Sequence, residues 1–317
     1  MRKVLVTARS FGKISDTPFQ ILKDAGFEVV THPRRGPLDK EEMIPLIKDV
    51  EGVIVGTDVV DDEVLAHGKC LKVVAKHGVG VDNIDLDAAR RRNIVVTNTP
   101  GANSLAVAEM ALCMMLAISR NMVEGDRRVR SGQWGTITGC QLTGKRVGIV
   151  GFGAIGRCLA RLLKGFDCQI TAYDPYINAQ VAAELGVQIV SFDELLASSD
   201  YISLHVPNTP ETRNMFSEEA FAKMKKTAFL INLARGGVVD ELALARALEE
   251  GEIAGAAVDV FSEEPPSLDH PLFKAPNVIV TPHIGAHSRE AMDNMSTMAA
   301  QNVVAVLTGT GCASIVQ

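Results

Sequence analysis

The sequence predicts an α/β protein with two mostly parallel sheets. Short apolar runs rich in Val and Ile alternate with amphipathic helical patterns along the chain, which is typical of repeated βαβ units. One series of five such runs ends near Asn98, and a second series of six begins after Gly144. Two series imply two sheets and therefore two domains, in keeping with a length of 317 residues.

The two series divide the chain unequally. Strands are expected at residues 4–7, 28–31, 52–56, 72–76 and 94–98, and then at 147–150, 169–173, 201–206, 228–233, 255–260 and 278–281. A helix is expected to begin at Asp16-Thr17-Pro18 and to stop at Gly26. The last helical pattern, about Ser288 to Leu307, is expected to return to the first domain. That domain then comprises residues 1–99 and 285–317, and the other comprises residues 100–284.

Composition excludes several classes of partner. Against 38 Asp and Glu, the 32 Lys and Arg give a net charge of −6, without the basic footprint of a nucleic-acid binder. The most apolar stretch, Met110 to Ile118, is far shorter than the ~20 residues that span a bilayer, so no membrane partner is expected. Six scattered cysteines with no C-x-x-C predict reduced, mostly buried thiols and a cytoplasmic protein.

A glycine motif lies between a predicted strand and a predicted helix. Gly151, Gly153 and Gly156 have the G-x-G-x-x-G spacing, in which the glycines provide a tight turn, an approach for pyrophosphate and close helix–strand packing. Asp174 ends the next strand, 23 residues after Gly151, where it would bind ribose hydroxyls and repel a 2′-phosphate. The two residues after Asp174 supply no arginine for that phosphate. The motif therefore predicts NAD as the cofactor.

Three later strands each lead into an ionisable residue: Arg235, Glu264 and His283. Because ligands bind at the carboxyl ends of the strands in an open parallel sheet, all three are expected to reach one cleft. Arg235 can bind a carboxylate through two parallel hydrogen bonds. His283 can exchange the proton of a hydroxyl group, and Glu264 can orient His283. This set suits a small 2-hydroxy acid.

Other residues have competing interpretations. His283 and His287 have the spacing of a helical zinc pair, but Pro282 and Gly285 break any helix there, and no metal site is expected. Lys76 is interpreted equally as a solvated strand end and as a substrate contact. The single tryptophan, Trp134, is expected to be a packing anchor. The methionines Met110, Met114 and Met115 are expected to pack in the core or in a dimer interface.

Four ordered motifs carry a family resemblance. They are Gly-Phe-Gly-Ala-Ile-Gly (151–156), Asn-Leu-Ala-Arg-Gly-Gly-Val-Val-Asp (232–240), Asp-Val-Phe-Ser-Glu-Glu-Pro-Pro (259–266) and Thr-Pro-His-Ile-Gly-Ala (281–286). The match extends over nearly the whole chain and includes residues 78–83 and 98–101. The sequence resembles the D-isomer-specific 2-hydroxyacid dehydrogenases, and most of all their phosphoglycerate dehydrogenase-like branch.

The resemblance implies two doubly wound domains, a flavodoxin-like substrate domain and a Rossmann NAD domain, with an active-site cleft between them. It implies hydride transfer between nicotinamide and a small D-2-hydroxy acid or 2-oxo acid, such as 3-phosphoglycerate, hydroxypyruvate or glyoxylate. By analogy Arg235 binds the substrate, His283 is the acid/base and Glu264 is its partner. The implied cofactor contacts are Gly151, Gly153, Ala154, Ile155, Gly156, Asp174, Ala234, Asp259 and Gly285, and the implied substrate contacts are Lys76, Val79, Gly80 and Arg235. The helix after Ser104 is similar to the dimer-forming segment of the family, which implies a homodimer.

The sequence also departs from its relatives. Gly56, Lys76 and Val79 stand where animal-type phosphoglycerate dehydrogenases have arginine, arginine and threonine, respectively. These differences leave open a dehydrogenase of another small anion, such as a sulfonated hydroxy acid, phosphite or formate. An NAD(H)-sensing binding module is a further alternative. We expect the length to accommodate the two core domains without a regulatory domain.

Overall fold

The structure is a computed structural model that describes residues 2–33 and 37–316. The chain divides into two compact units, one made of Met1–Asn103 with His287–Gln317 and the other of Ser104–Ala286. The bounds expected from the sequence lay after residues 99 and 284. Each unit is built around its own parallel sheet.

The first unit begins with five strands that alternate with helices. These elements are β1 (Arg2–Val6), α1 (Thr17–Asp24), β2 (Phe27–Thr31), α2 (Lys40–Ile47), β3 (Gly52–Val55), α3 (Asp62–His67), β4 (Val73–Lys76), α4 (Leu86–Arg91) and β5 (Val95–Thr97). The strand order is β2-β1-β3-β4-β5, and all pairs are parallel. Strands β3 and β4 are buried along their whole length because helices cover both faces of a parallel sheet.

Helix starts in this unit follow simple capping rules. Asp61 accepts a hydrogen bond from Val64 N–H at 3.1 Å, and Asp85 accepts one from Ala88 N–H at 2.8 Å. Helix α1 begins at Thr17 with a proline in its first turn, as the sequence predicts.

The second unit contains a seven-stranded sheet. Its elements are α5 (Ser104–Ser119), α6 (Met122–Arg130), β6 (Arg146–Val150), α7 (Ala154–Leu163), β7 (Gln169–Tyr173), α8 (Ala179–Glu184), β8 (Gln188–Ile189), α9 (Phe192–Ser198), β9 (Tyr201–Leu204), α10 (Glu218–Lys223), β10 (Phe229–Asn232), α11 (Glu241–Glu249), β11 (Gly255–Val258) and β12 (Val278–Val280). The order is β12-β11-β10-β9-β6-β7-β8. The expectation of six strands was wrong by one, because exposed β8 has only two residues and gives no recognisable pattern.

The strand order reverses at β6, since β7 lies on one side of it and β9 on the other. Such a switch point opens a crevice at the carboxyl ends of the strands, where ligands bind in this class of sheet. The loops after β6, β7, β10, β11 and β12 all leave the sheet at this edge. The switch point therefore gathers the predicted site residues of this unit.

The last helix, α12 (Arg289–Thr308), belongs to the first unit. Ser288 caps it by accepting the N–H of Ala291 at 3.0 Å, and Gly309 ends it in a left-handed conformation. Its buried residues Ala299, Ala300 and Val303 join the core that α1 and strands β1, β3 and β4 form. Hydrophobic burial thus stabilises the return of the chain to this unit.

Three surface features bear on the expectations. Trp134 is 92% exposed, so the interpretation as a packing anchor was wrong for the core of this chain, whereas Met114 and Met115 lie in the core as predicted. All six cysteines are free, but Cys70 and Cys113 are exposed and the others only partly buried, so "mostly buried" was wrong. Among the described residues, no single helix is long and apolar enough to cross a membrane; only α5 and α6, bent by 59° at their junction, reach that composition together.

Candidate active site

The glycine loop joins β6 to α7. Gly151 has φ +92°, and a Cβ atom there would lie 2.5 Å from the carbonyl oxygen of His205. A Cβ atom on Gly156 would lie 2.4 Å from the carbonyl oxygen of Gly151 and 3.0 Å from Ile149 Cγ2. Both positions therefore require glycine for packing, and Gly151 requires it for its backbone conformation as well.

Gly153 differs from the other two glycines of the loop. It is the N-cap of α7, and its Cβ atom would have no heavy atom within 4 Å. Ala154 begins the helix and is exposed, while Ile155 is partly buried. The unpaired N–H groups and positive dipole end of this ten-residue helix thus face open space, as a phosphate-binding helix start requires.

Asp174 follows β7 and is tied to the glycine loop. Its Oδ2 accepts the N–H of Phe152 and its Oδ1 accepts the N–H of Tyr176, both at 2.8 Å. A carboxylate has about four acceptor positions, so these two contacts fix its orientation and leave capacity for ligand hydroxyls. Open space at Gly153 and an oriented carboxylate at the end of β7 fit the pyrophosphate and ribose of a dinucleotide.

Asp259 follows β11 and is almost completely buried, at 1% exposure. Its Oδ1 accepts the hydroxyl of Thr281 and the N–H of Ile284 at 2.9 Å, while its Oδ2 accepts the N–H of Gly285 at 2.8 Å. A buried carboxylate needs such partners to offset its desolvation. Within this structure Asp259 holds the loop that carries His283.

His283 and Glu264 form the central pair of the site. Nδ1 of His283 lies 2.7 Å from Oε2 of Glu264, and Oε1 of Glu264 accepts the N–H of Phe261 at 3.1 Å. Both side chains are partly exposed, at 44% and 35%. His283 adopts φ +53°, a left-handed conformation that its loop imposes and that is uncommon for residues other than glycine.

The environment of Glu264 keeps it charged. Burial alone would raise the pKa of Glu264, but the hydrogen bond and charge of His283, the N–H of Phe261 and the charge of Arg235 together lower this pKa. A charged Glu264 orients the proton of the imidazole onto Nδ1. The other ring nitrogen, Nε2, is then available for proton exchange with a ligand.

Arg235 lies just beyond β10, where Asn232 shapes the chain. The side chain of Asn232 accepts the N–H of Ala234 at 3.0 Å and donates to the carbonyl of Arg235 at 3.1 Å. Nη1 of Arg235 donates to the carbonyl of Ala234 at 2.7 Å. Ala234 itself is buried, whereas Arg235 is half-buried. The structure thus brings Arg235, Glu264 and His283 together at one edge of the second unit's sheet.

Three predicted substrate contacts belong to the first unit. Lys76 ends β4 with 9% exposure, and its Nζ donates to the carbonyl of Gly56 at 2.6 Å and to Oδ1 of Asn83 at 2.7 Å. The interpretation as a solvated strand end was therefore wrong. Val79 is 37% exposed and Gly80 partly exposed. Their participation in one site with Arg235 stays a prediction.

The sequence interpretation missed several contributors to the site. Asn232 and Thr281 orient the loops of Arg235 and His283, and a second histidine–carboxylate pair, His270 and Glu241, lies at 3.0 Å. Asn232 and Thr281 stand inside the quoted motifs, which was the only available signal. Within residues 2–33 and 37–316, no group of three His, Cys, Asp or Glu residues is placed to hold a metal ion.

The second unit has a glycine loop, an acidic residue and a His–Glu pair at one edge of a parallel sheet, which defines it as a dinucleotide-binding α/β unit. Residues 112–285 match the family model of the D-isomer specific 2-hydroxyacid dehydrogenase NAD binding domain, which is more than half of the chain. The chain belongs to this family. The predicted family, the two parallel-sheet α/β domains and the NAD cofactor are confirmed.

Similar proteins agree with this assignment. A D-3-phosphoglycerate dehydrogenase of Archaeoglobus fulgidus is 41% identical over 299 residues, which are 93% of this chain and 56% of that protein. A glyoxylate reductase of Thermofilum pendens is 42% identical over 304 residues, 93% of this chain and 90% of that protein. A Thermus thermophilus crystal structure superposes with a TM-score of 0.91 at 38% identity, covering 99% of this chain and 100% of that one. The chain spans about half the length of the phosphoglycerate dehydrogenases it matches.

Proposed function

We propose that this protein is an NAD-dependent dehydrogenase that interconverts a small D-2-hydroxy acid and its 2-oxo acid. The observation that carries the proposal is the 2.7 Å contact between His283 Nδ1 and Glu264 Oε2, with the charge of Arg235 acting on the same carboxylate. An acid/base histidine beside a guanidinium is the minimum that hydroxyl oxidation of an anionic substrate requires.

Each side chain has a distinct part in the proposed reaction. Arg235 binds the substrate carboxylate through paired hydrogen bonds and polarises the adjacent carbonyl. NADH, when bound, supplies the hydride. His283 gives its Nε2 proton to the carbonyl oxygen as that oxygen gains charge, and Glu264 stabilises the imidazolium form that precedes this transfer. Oxidation reverses these steps.

The cofactor site is proposed on the residues around the switch point. The start of α7 at Gly153 binds the pyrophosphate, and Asp174 binds the adenosine ribose. The nine positions proposed for the cofactor are those named from the sequence: Gly151, Gly153, Ala154, Ile155, Gly156, Asp174, Ala234, Asp259 and Gly285. For Asp259 we propose an indirect part, because three protein donors already occupy its carboxylate.

The substrate is proposed to be a small 2-oxo acid without a phosphate group. Lys76, Val79 and Gly80 of the first unit are proposed to contact it. Two protein acceptors already take two of the three donors of the Lys76 ammonium. This leaves little capacity for a phosphate group and favours glyoxylate or hydroxypyruvate over 3-phosphohydroxypyruvate as substrate. The named activity of the Thermofilum pendens relative, which this chain spans almost end to end, supports the same choice.

A substrate panel tests the proposal. NADH oxidation is measured with glyoxylate, hydroxypyruvate, 3-phosphohydroxypyruvate and pyruvate, and we expect the highest kcat/KM with one of the first two. His283→Ala and Arg235→Ala are expected to lose roughly 100- to 10,000-fold in kcat/KM while still binding NADH. A flat panel despite tight NADH binding would overturn the proposal and favour an NAD(H)-sensing module.

We also propose a homodimer formed through α5 and α6. Helix α6 has no buried residue, and exposed apolar side chains are concentrated on these two helices and the segment that follows. They are Leu105, Met122, Val123, Val129 and Trp134. An apolar patch of this kind is typical of a protein interface. Light scattering is expected to give a dimer for the wild type and a monomer for Met122→Glu combined with Trp134→Glu.

The free state of all six cysteines supports a cytoplasmic location.

A further inference from the structure

A second histidine–carboxylate pair lies beside the proposed acid/base pair. Glu241 is the first residue of α11, and its Oε2 lies 3.0 Å from Nε2 of His270. The two side chains are only 13% and 14% exposed, much less than those of Glu264 and His283. Removing a carboxylate from water costs free energy, so a buried and oriented pair of this kind indicates a structural or functional role.

The second oxygen of Glu241 binds the loop that carries Glu264. Oε1 of Glu241 accepts the N–H of Ser262 at 2.7 Å. The preceding residue, Phe261, donates its own N–H to Oε1 of Glu264 at 3.1 Å. Glu241 and Glu264 therefore hold the two N–H groups of one short backbone segment, Phe261–Ser262.

The same segment also packs against the chain next to Arg235. A Cβ atom on Gly236 would lie 2.0 Å from the carbonyl carbon of Phe261 and 2.1 Å from the nitrogen of Ser262. Only glycine fits at this distance. The backbone that follows Arg235 and the backbone that leads to Glu264 are thus in direct contact, so a shift of one displaces the other.

His270 completes the contact from the far side of the loop. Its ring packs edge-on against Phe261, with 5.3 Å between centroids, and at a tilt of 48° against Phe273, with 5.5 Å between centroids. Its Nδ1 accepts the N–H of Leu272 at 3.4 Å, which leaves the proton on Nε2 to be donated to Glu241. The ring thereby fixes Glu241 in the orientation that binds Ser262.

We propose that Glu241 and His270 are positioning residues, which clamp the Phe261–Ser262 backbone and so set the orientation of Glu264 relative to His283 and Arg235. This inference rests on the proposed function. Neither residue touches the reacting atoms. Their effect is exerted through the hydrogen bond from Phe261 N–H to Glu264 and through the contact of the loop with Gly236.

The test compares Glu241→Gln with Glu249→Gln at the exposed far end of α11. The amide of Gln has one acceptor oxygen, whereas the carboxylate of Glu241 accepts from two donors, His270 Nε2–H and Ser262 N–H. In the variant one of these donors faces the amide NH2 group, so the hold on the Phe261–Ser262 backbone is expected to loosen. We expect kcat with the best 2-oxo acid to fall roughly 10- to 100-fold in Glu241→Gln, as for a small misplacement of reacting groups, with NADH binding unchanged. The acid limb of the pH profile is expected to move to higher pH, because Glu264 loses part of the N–H contact that lowers its pKa.

Hydrogen exchange separates this role from general support of the helix. In Glu241→Gln the amides of Phe261 to Glu264 are expected to exchange faster, with those of α11 unchanged. His270→Leu is expected to show the same faster exchange of the amides of Phe261 to Glu264. His270→Gln keeps a donor for Glu241 and is expected to show a smaller increase in exchange than His270→Leu. Faster exchange confined to α11, or kcat and an acid limb equal to those of Glu249→Gln, would overturn the inference. A wild-type protein that turns over no 2-oxo acid would instead overturn the proposed function, and that result precedes any variant.

Discussion

The carboxylate of Asp259 binds the backbone N–H of Gly285 at 2.8 Å, and the Cβ of any other residue at position 285 would lie only 3.0 Å from the same oxygen. The strand β11 is therefore linked directly to the loop beyond β12. That loop carries His283 in its left-handed conformation, and its position depends on this one buried charge.

Asp259→Asn tests the dependence. An amide has one acceptor oxygen in place of two, so at least one of the N–H groups of Ile284 and Gly285 is left unsatisfied. Loss of a hydrogen bond to a buried charged acceptor costs about 1.5–3 kcal/mol. We expect the free energy of unfolding in urea to fall by that amount and kcat to fall with it. Asp193→Asn removes an exposed partner of Lys223 and is expected to change stability by less than ~1 kcal/mol.

The pH dependence follows from Glu264. Its pKa is lowered from the ordinary value of 4.5, so its charged form is favoured in the folded protein and this advantage is lost as the pH falls through the lowered pKa. In the direction of 2-oxo acid reduction, where His283 acts in its protonated form, we expect the acid limb of kcat/KM to have its midpoint below pH 4.5, while the protein stays folded. Glu264→Gln is expected to abolish this acid limb along with most of the activity. A midpoint at or above pH 4.5 in the wild type, in the same direction of reaction, would contradict the assignment.

Asp174 is expected to determine the choice between NAD and NADP. Its oxygens are oriented by Phe152 N–H and Tyr176 N–H, so a 2′-phosphate would meet a fixed negative charge. Asp174→Ala removes this repulsion and also the ribose contacts. We expect the ratio of kcat/KM for NADH to that for NADPH to fall by about tenfold or more, equal to ~1.4 kcal/mol. Glu184→Ala, at the exposed end of α8, serves as the control, and an unchanged ratio in Asp174→Ala would remove the reason to prefer NAD.

Local patterns predicted most of the fold. Strands such as β6 and β7 are recognisable because Val and Ile runs are bounded by Gly and Asp, and the order of motifs places Arg235, Glu264 and His283 after successive strands. Contacts that depend on close approach of distant segments are not visible in this way. Neither the exposure of Trp134 nor the burial of Lys76 has a local signal, since both depend on what the rest of the chain covers. The contact between Glu241 and His270 was not predicted for the same reason, since the two residues lie 29 positions apart in the sequence.

The glycine loop offers a matched pair of variants for cofactor binding. At Gly156 a methyl group would lie 2.4 Å from the carbonyl oxygen of Gly151, so Gly156→Ala must displace α7 from β6 and is expected to cost about 1–3 kcal/mol of stability. At Gly153 the same methyl group meets open space and the backbone is not left-handed, so Gly153→Ala is expected to fold and to lose no more than about 1 kcal/mol, the cost of alanine as the N-cap of α7. The space it fills is the approach to the start of α7, where the pyrophosphate is proposed to bind. Calorimetry should therefore show weakened NADH binding in Gly153→Ala, while its free energy of unfolding falls much less than that of Gly156→Ala. Normal NADH affinity in that variant would place the pyrophosphate elsewhere.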